Sequence, residues 1–162
     1  MPQEVSASTH TSAPRTAAMQ EIIDGMSASW HQVLGTVSMP ADDGAEIAQI
    51  LAAGGTIRMW SDGTVKDGIG AHAYTLCTKC DDDDSAILGD ETTPGNPADI
   101  SSLQTESYGG LACLILTWAI EYKFNTNSGY ILLHIDNEEV VKQIKYGVPD
   151  TMAAEKIYQD RF

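Results

Sequence analysis

From Thr56 onward, apolar and polar residues alternate: Ile57, Met59 and Ser61 fall on one side and Arg58, Trp60 and Asp62 on the other. An extended chain points successive side chains to opposite faces, so this stretch predicts a half-buried strand. Lys66-Asp67-Gly68 follows it, and an Asp-Gly pair between two extended segments favours a tight hairpin. A second strand is then expected over residues 69–78 and a short third one over residues 86–89. The polar, proline-containing stretch 91–99 reads as a loop. Ser101 or Ser102 can cap the next element, which is apolar on nearly every side over residues 111–122 and should form a central, buried helix. Asn125 to Gly129 ends it. Residues 130–136 then read as a buried strand that meets a helix start at Asn137, with that helix running to about Tyr146 and residues 151–162 helical again.

Before Thr56 the signal is weaker. Residues 1–40 show a short helical pattern around residues 19–26 and one large aromatic, Trp30, and are read as a flexible leader. In residues 41–55, Asp42 or Asp43 can cap an accessory helix through Glu46, Ile47, Ile50 and Leu51 that Gly54 and Gly55 terminate. Residues 56–162 make up the domain proper. Because a helical crossover separates the fourth strand from the first, the two should run parallel by a right-handed connection. The expected architecture is α/β: a mixed sheet of three antiparallel strands plus a parallel fourth, flanked by helices.

Composition adds bounds to this picture. A chain of 162 residues with 43% hydrophobic content holds one domain with a real core. Its longest apolar run, residues 111–120, is about half the roughly 20 residues of a membrane span, so no membrane partner is expected. The N-terminus has no hydrophobic block of a secretory signal, and three cysteines cannot all pair, so reduced thiols and an intracellular location, cytoplasm or nucleus, are expected. Nine Lys plus Arg against 23 Asp plus Glu give a net charge of −14. A polyanionic ligand would need metal ions or a local basic patch to bind.

Three acidic residues fall at informative places. Asp62 lies in the first strand, Glu106 in the first turns of the central helix and Asp136 at the C-terminal end of the fourth strand. Ligands of open α/β sheets gather at the carboxyl ends of parallel strands, where Asp62 and Asp136 would be neighbours. On helical spacing Glu106 shares a face with Gly110, Cys113 and Thr117, whose small side chains allow helix and sheet to approach closely. Converging carboxylates repel one another unless cations join them. Hard oxygen ligands select Mg²⁺ or Mn²⁺, and two such ions about 3.5–4 Å apart can drive phosphodiester hydrolysis. From spacing alone, solvated strand-end and helix-cap acids explain the trio equally well.

Other signals weigh less. Cys77-Thr78-Lys79-Cys80 lacks the further ligands of a zinc site, and Asp81 to Asp84 lacks the alternation and glycine of a calcium loop. His134 shares a strand face with Asp136 but reads as a hydrogen-bonded structural residue. Gly63, Gly68 and Gly70 precede a hairpin and so do not form a nucleotide-binding loop.

The segments Trp60-Ser61-Asp62-Gly63-Thr64, Ser101-Ser102-Leu103-Gln104-Thr105-Glu106 and Ile135-Asp136-Asn137 occur in order on a strand, a helix and a strand. Together they resemble the three acidic motifs of ribonuclease H domains of retroelement reverse transcriptases. The resemblance covers roughly residues 56–147. It implies a five-stranded sheet with flanking helices, metal held by Asp62, Glu106 and Asp136, and cleavage of the RNA strand of an RNA/DNA hybrid. Too few residues follow Asp136 for the rest of that fold, so the fifth strand and the last helix, with its fourth acidic residue, are expected to be missing. Lys142, Lys145 and Lys156 are scattered and give no basic handle. Two functions follow: a metal-dependent ribonuclease H-like nuclease, or an inactive remnant of that fold serving as an interaction module. An edge of the fourth strand left bare by the missing fifth would promote self-association.

Overall fold

Asp67 and Gly68, at the tip of the first hairpin, take φ of 52° and 75°. Two left-handed residues in succession match the twist of the strands they connect. In the computed structural model, which describes residues 14–79, 84–138, 140 and 157–158, this turn joins β2 (Thr56–Lys66) to β3 (Ile69–Cys77). Trp60 lies opposite Thr75, and Asp62 opposite Ala73. β4 (Ile87–Thr93) continues the antiparallel run beside β3, and β1 (Thr36–Ser38) adds a short antiparallel edge to β4. Helix α4 (Ser102–Phe124) then crosses over, and β5 (Tyr130–Ile135) returns parallel to β2. With β6 (Ile157–Tyr158) parallel to β5, the sheet order is β1-β4-β3-β2-β5-β6. The α/β mixed sheet expected from the pattern, three antiparallel strands plus a parallel fourth, is present.

Two boundaries differ from expectation. The third strand of the meander runs on to Thr93 because Asp90, Glu91 and Thr92, polar enough to suggest a loop, lie on a half-exposed sheet and pair with Ala73, His72 and Ala71. Beside β5, where no further strand was expected, Ile157 and Tyr158 pair with Ile131 and Leu132. That stretch had been expected to be helical. The edge of β5, expected to be bare, is covered at those two positions. The helix expected after Asn137 begins at Glu138, and the Asn137 side chain accepts from Val140 N at 3.4 Å. The rest of that helix lies outside the described residues, as does Cys80 of the C-x-x-C pair.

Residues 14–40 are not a loose leader. They contain α1 (Met19–Asp24), α2 (Ala28–Leu34) and β1, and Met19, Ile23, Val33 and Leu34 are buried in the main core. Fully burying an aliphatic side chain stabilises by about 1.5–3 kcal/mol, enough for four of them to hold a short segment in place. Polar anchors fix its path. The Asp43 carboxylate accepts from Met19 N at 2.9 and 3.1 Å and meets buried Lys123 Nζ at 3.2 Å. At the end of α2, Tyr74 Oη donates to Leu34 O at 2.5 Å and His72 Nε2 lies 2.7 Å from Val33 O. Burial pushes the Tyr74 hydroxyl pKa well up, so it stays a donor. Sequence periodicity misses such a segment because its helices span six and seven residues, too short to show a stripe.

Helix α3 (Ala45–Ala52) is likewise part of the core, through Ile47, Ala48 and Leu51. The Asp42 carboxylate accepts from Gly44 N at 3.0 Å and Glu46 N at 2.8 Å, satisfying amides at the start of the helix as expected of one of the two aspartates. Ser101 Oγ caps α4 by accepting from Gln104 N at 3.2 Å, and Asn125, with φ of 52°, ends it. No helix among the described residues is long and apolar enough to cross a membrane.

Helix α4 lies on one face of the sheet, against Ile57, Met59 and Ser61 of β2. The other face carries Arg58, Trp60 and Asp62 and is solvent-exposed along β2. The contact with α4 is close because the facing residues are small. A Cβ at Gly109 would sit 2.9 Å from Ser61 Cβ, Cys113 Sγ donates to Trp60 O at 3.9 Å, and Thr117 Oγ1 lies 3.8 Å from Met59 Sδ.

Candidate functional site

Ser61 pairs with Ile135, so one residue further on, Asp62 within β2 and Asp136 just past the end of β5 stand side by side, about one strand spacing of 4.8 Å apart in the backbone. Both are exposed. Glu106 comes to them from α4, where the chain of β2 passes directly beneath the helix at Gly63. A Cβ there would lie 2.6 Å from Glu106 N and 2.5 Å from Thr105 Oγ1, so any larger residue would push helix and strand apart. Glycine at this position is therefore what brings the helix acid to the strand acids.

Glu106 is 7% exposed, and its Oε2 has no hydrogen-bond partner. Burial raises its carboxyl pKa above the ordinary value, a hydrogen bond from the Gly63 N–H pulls the other way, and the charges of Asp62 and Asp136 raise it further. Those two charges place all three predicted residues in one electrostatic neighbourhood. Their side chains are not closed around a common point. Among the described residues, no three His, Cys, Asp or Glu side chains are gathered in a metal-holding group. Asp62 Oδ1 turns back to accept from Gly63 N at 2.9 Å. Mutual repulsion between carboxylates without a counterion favours such a splayed arrangement.

The residues present suit a hard divalent cation. All three donors are carboxylate oxygens, and the one that is buried has an oxygen with no other partner. An orphaned buried carboxylate oxygen is costly to leave unsatisfied, and a cation is the ligand that removes the cost and the repulsion together.

Two features of this neighbourhood were not read from the sequence. His134, expected to be a hydrogen-bonded structural residue, stacks its ring on Trp60 with centroids 3.8 Å apart and planes 6° from parallel. The parallel register that pairs Trp60 with His134 is the signal that could have revealed it. Asp90 shares a cross-strand row with Ala73 and Asp62. A concavity of about 320 Å³ opens there, bounded by Asp62, Thr64, Asp90 and Thr92 over Ala71 and Ala73. Ending the third strand at Gly89 removed Asp90 from view. A larger, more open cleft of about 570 Å³ lies between α1, α2 and α4, where Trp30, Trp118 and Tyr122 cluster under Arg15.

Cys77 and Cys113 are buried, and burial raises the Cys113 thiol pKa well above its usual range. Cys113 is therefore not a reactive thiolate candidate. No protein-family model matches the chain, and no curated protein is significantly similar to it.

Proposed function

We propose that the chain is a ribonuclease H-like domain that hydrolyses phosphodiester bonds with divalent metal, its substrate the RNA strand of an RNA/DNA hybrid. The observation that carries this reading is geometric: the parallel register sets Asp62 of β2 beside Asp136, the residue after β5, and the close approach of α4 at Gly63 brings buried Glu106 next to them. The three motifs that resemble those of retroelement ribonuclease H domains supply these same three residues, and the mixed sheet with α4 as its crossover suits the fold they imply. Asp62, Glu106 and Asp136 would hold Mg²⁺ or Mn²⁺. Bound metal supplies activation of the attacking water and stabilisation of the leaving oxygen.

The chain's own residues prepare that site. Gly63 sets the height of Glu106 above β2 and gives its amide to the carboxylates. Ser61, Gly109 and Cys113 fix the seat of α4. Glu106, held above its ordinary pKa, accepts a proton more readily than a solvated carboxylate until a cation displaces it. The net charge of −14 makes binding of a polyanion dependent on cations. The test is cleavage of a labelled RNA/DNA hybrid in millimolar Mg²⁺ or Mn²⁺: activity that chelator removes and Asp62→Asn abolishes supports the reading. Absence of cleavage by the folded wild-type protein in either metal refutes it.

The splayed carboxylates favour a second reading, a domain that keeps this fold without catalysis and serves as an interaction module. That reading requires that divalent metal leave its stability unchanged.

A further inference from the structure

The sheet face opposite α4 is not uniformly flat. Along β3 its outward residues are small, Ala71, Ala73 and Thr75, while the flanking strands raise taller side chains in register with them. Trp60 of β2 and Leu88 of β4 lie on either side of Thr75, and both are exposed, by 36% and 49%. The trough between them spans two strand spacings, roughly 9.5 Å from backbone to backbone. A planar ring standing in it would touch apolar surface on both sides at contact distances of about 3.5–4.0 Å.

Trp60 is oriented for that role. One face of its indole is stacked on the His134 ring, which is itself buried. His134 lies beside Trp60 on β5, and Thr75 lies beside it on β3, so the second face of the indole is turned over the trough. The stack holds the ring upright and lowers the entropy lost when another ring joins it. Asp62 is two residues beyond Trp60 on the same face of β2, and Asp136 follows the end of β5, two residues beyond His134. That is about 6.6 Å along the strand, on the scale of the separation between the base and the phosphate of one nucleotide.

We propose that the slot between Trp60 and Leu88 takes an unpaired nucleobase adjoining the phosphate at Asp62 and Asp136. This rests on the phosphodiester reading above and adds a substrate preference to it. A base locked in a duplex cannot enter a slot of this width, so the preferred substrate is a hybrid with a single-stranded extension next to the cleaved bond.

The test is equilibrium binding, by fluorescence anisotropy, of a labelled blunt RNA/DNA hybrid and of the same hybrid with an unpaired extension. Ca²⁺ replaces Mg²⁺ to suppress cleavage. The extension should tighten wild-type binding by about 5- to 100-fold, the range of stacking one base on an aromatic side chain. Trp60→Ala should remove that gain and Trp60→Phe should retain most of it. Leu88→Glu, at an exposed position where the fold tolerates a charge, should remove it as well and serves if Trp60→Ala unfolds. The slot is overturned if the extension gives no gain, or if the gain survives both Trp60→Ala and Leu88→Glu. Thermal response to Mn²⁺, measured in parallel, separates the two ideas. A metal response without an extension effect sinks the slot alone. An extension effect lost in Trp60→Ala without a metal response keeps the slot and sinks the phosphodiester reading.

Discussion

Glu106→Gln should stabilise the metal-free protein at neutral pH and leave it unchanged in acid. In the folded chain the carboxylate is buried, has an oxygen without a partner and faces two like charges. Its folded pKa is therefore raised above the unfolded one. The folded state binds more protons than the unfolded state across that interval, so stability is fully present below the unfolded pKa and is lost as pH rises through the folded pKa. At pH 7 the ionised carboxylate costs stability, and the neutral amide of glutamine does not carry that charge. An unsatisfied buried polar group costs about 1–3 kcal/mol, but the amide keeps part of this cost, so the gain from removing the charge is set at about 1–2 kcal/mol. For a chain of this size, each kcal/mol moves the midpoint by about 2–4 °C. Calorimetric melting in EDTA should show the variant about 2–8 °C above wild type at pH 7. The two should coincide near pH 4, where both side chains are neutral. Equal midpoints at pH 7, or a gap of the same size at both pH values, would refute the electrostatic account of Glu106.

Other substitutions probe the supports of the site and of the N-terminal segment. Gly63→Ala puts a methyl group 2.5–2.7 Å from Thr105 and Glu106 atoms; it should cost about 1–3 kcal/mol in urea unfolding, as overpacking does, and blunt any response to metal. His72→Ala removes the contacts at 2.8 Å to Thr93 Oγ1 and 2.7 Å to Val33 O and leaves a cavity; a loss of about 2–4 kcal/mol is expected, with amide exchange accelerating first across α2 and β1. Asp43→Ala strips buried Lys123 of its carboxylate partner; because Asp43 is itself partly exposed, the loss should be about 2 kcal/mol, below that of a fully buried pair, and limited proteolysis should then cut near α1.

The elements whose sequence carries a strong period were legible before any coordinates. The alternation at Ile57, Met59 and Ser61, the Asp67-Gly68 turn and the Ser101 cap all do in the structure what their chemistry dictates. The close approach of the helix carrying Glu106 to the sheet followed from small residues at helical spacing, whereas its seat on Gly63 did not. What was not legible depends on long-range partners. Met19 and Leu34 are ordinary apolar residues whose burial requires α4 to be in place, and the cap of α1 comes from Asp43, 24 residues away from Met19. Asp90 and Thr92 look like loop residues until β3 is known to pair with them. Ile157 and Tyr158 form a strand only because β5 offers an edge. The Trp60 and His134 stack arises from register between strands 74 residues apart, which no local period encodes.

In the proposed function, Asp62, Glu106 and Asp136 share a divalent cation. Calorimetric titration of the metal-free protein with Mn²⁺ tests it most directly. Wild type should bind with a saturable heat, and its melting midpoint should rise with free Mn²⁺, by about 2.7 kcal/mol of added stability at 100 times the dissociation constant. Asp62→Asn and Asp136→Asn should each lose both responses while remaining folded. Wild-type heats indistinguishable from dilution, or binding that persists unchanged in both variants, would contradict the claim.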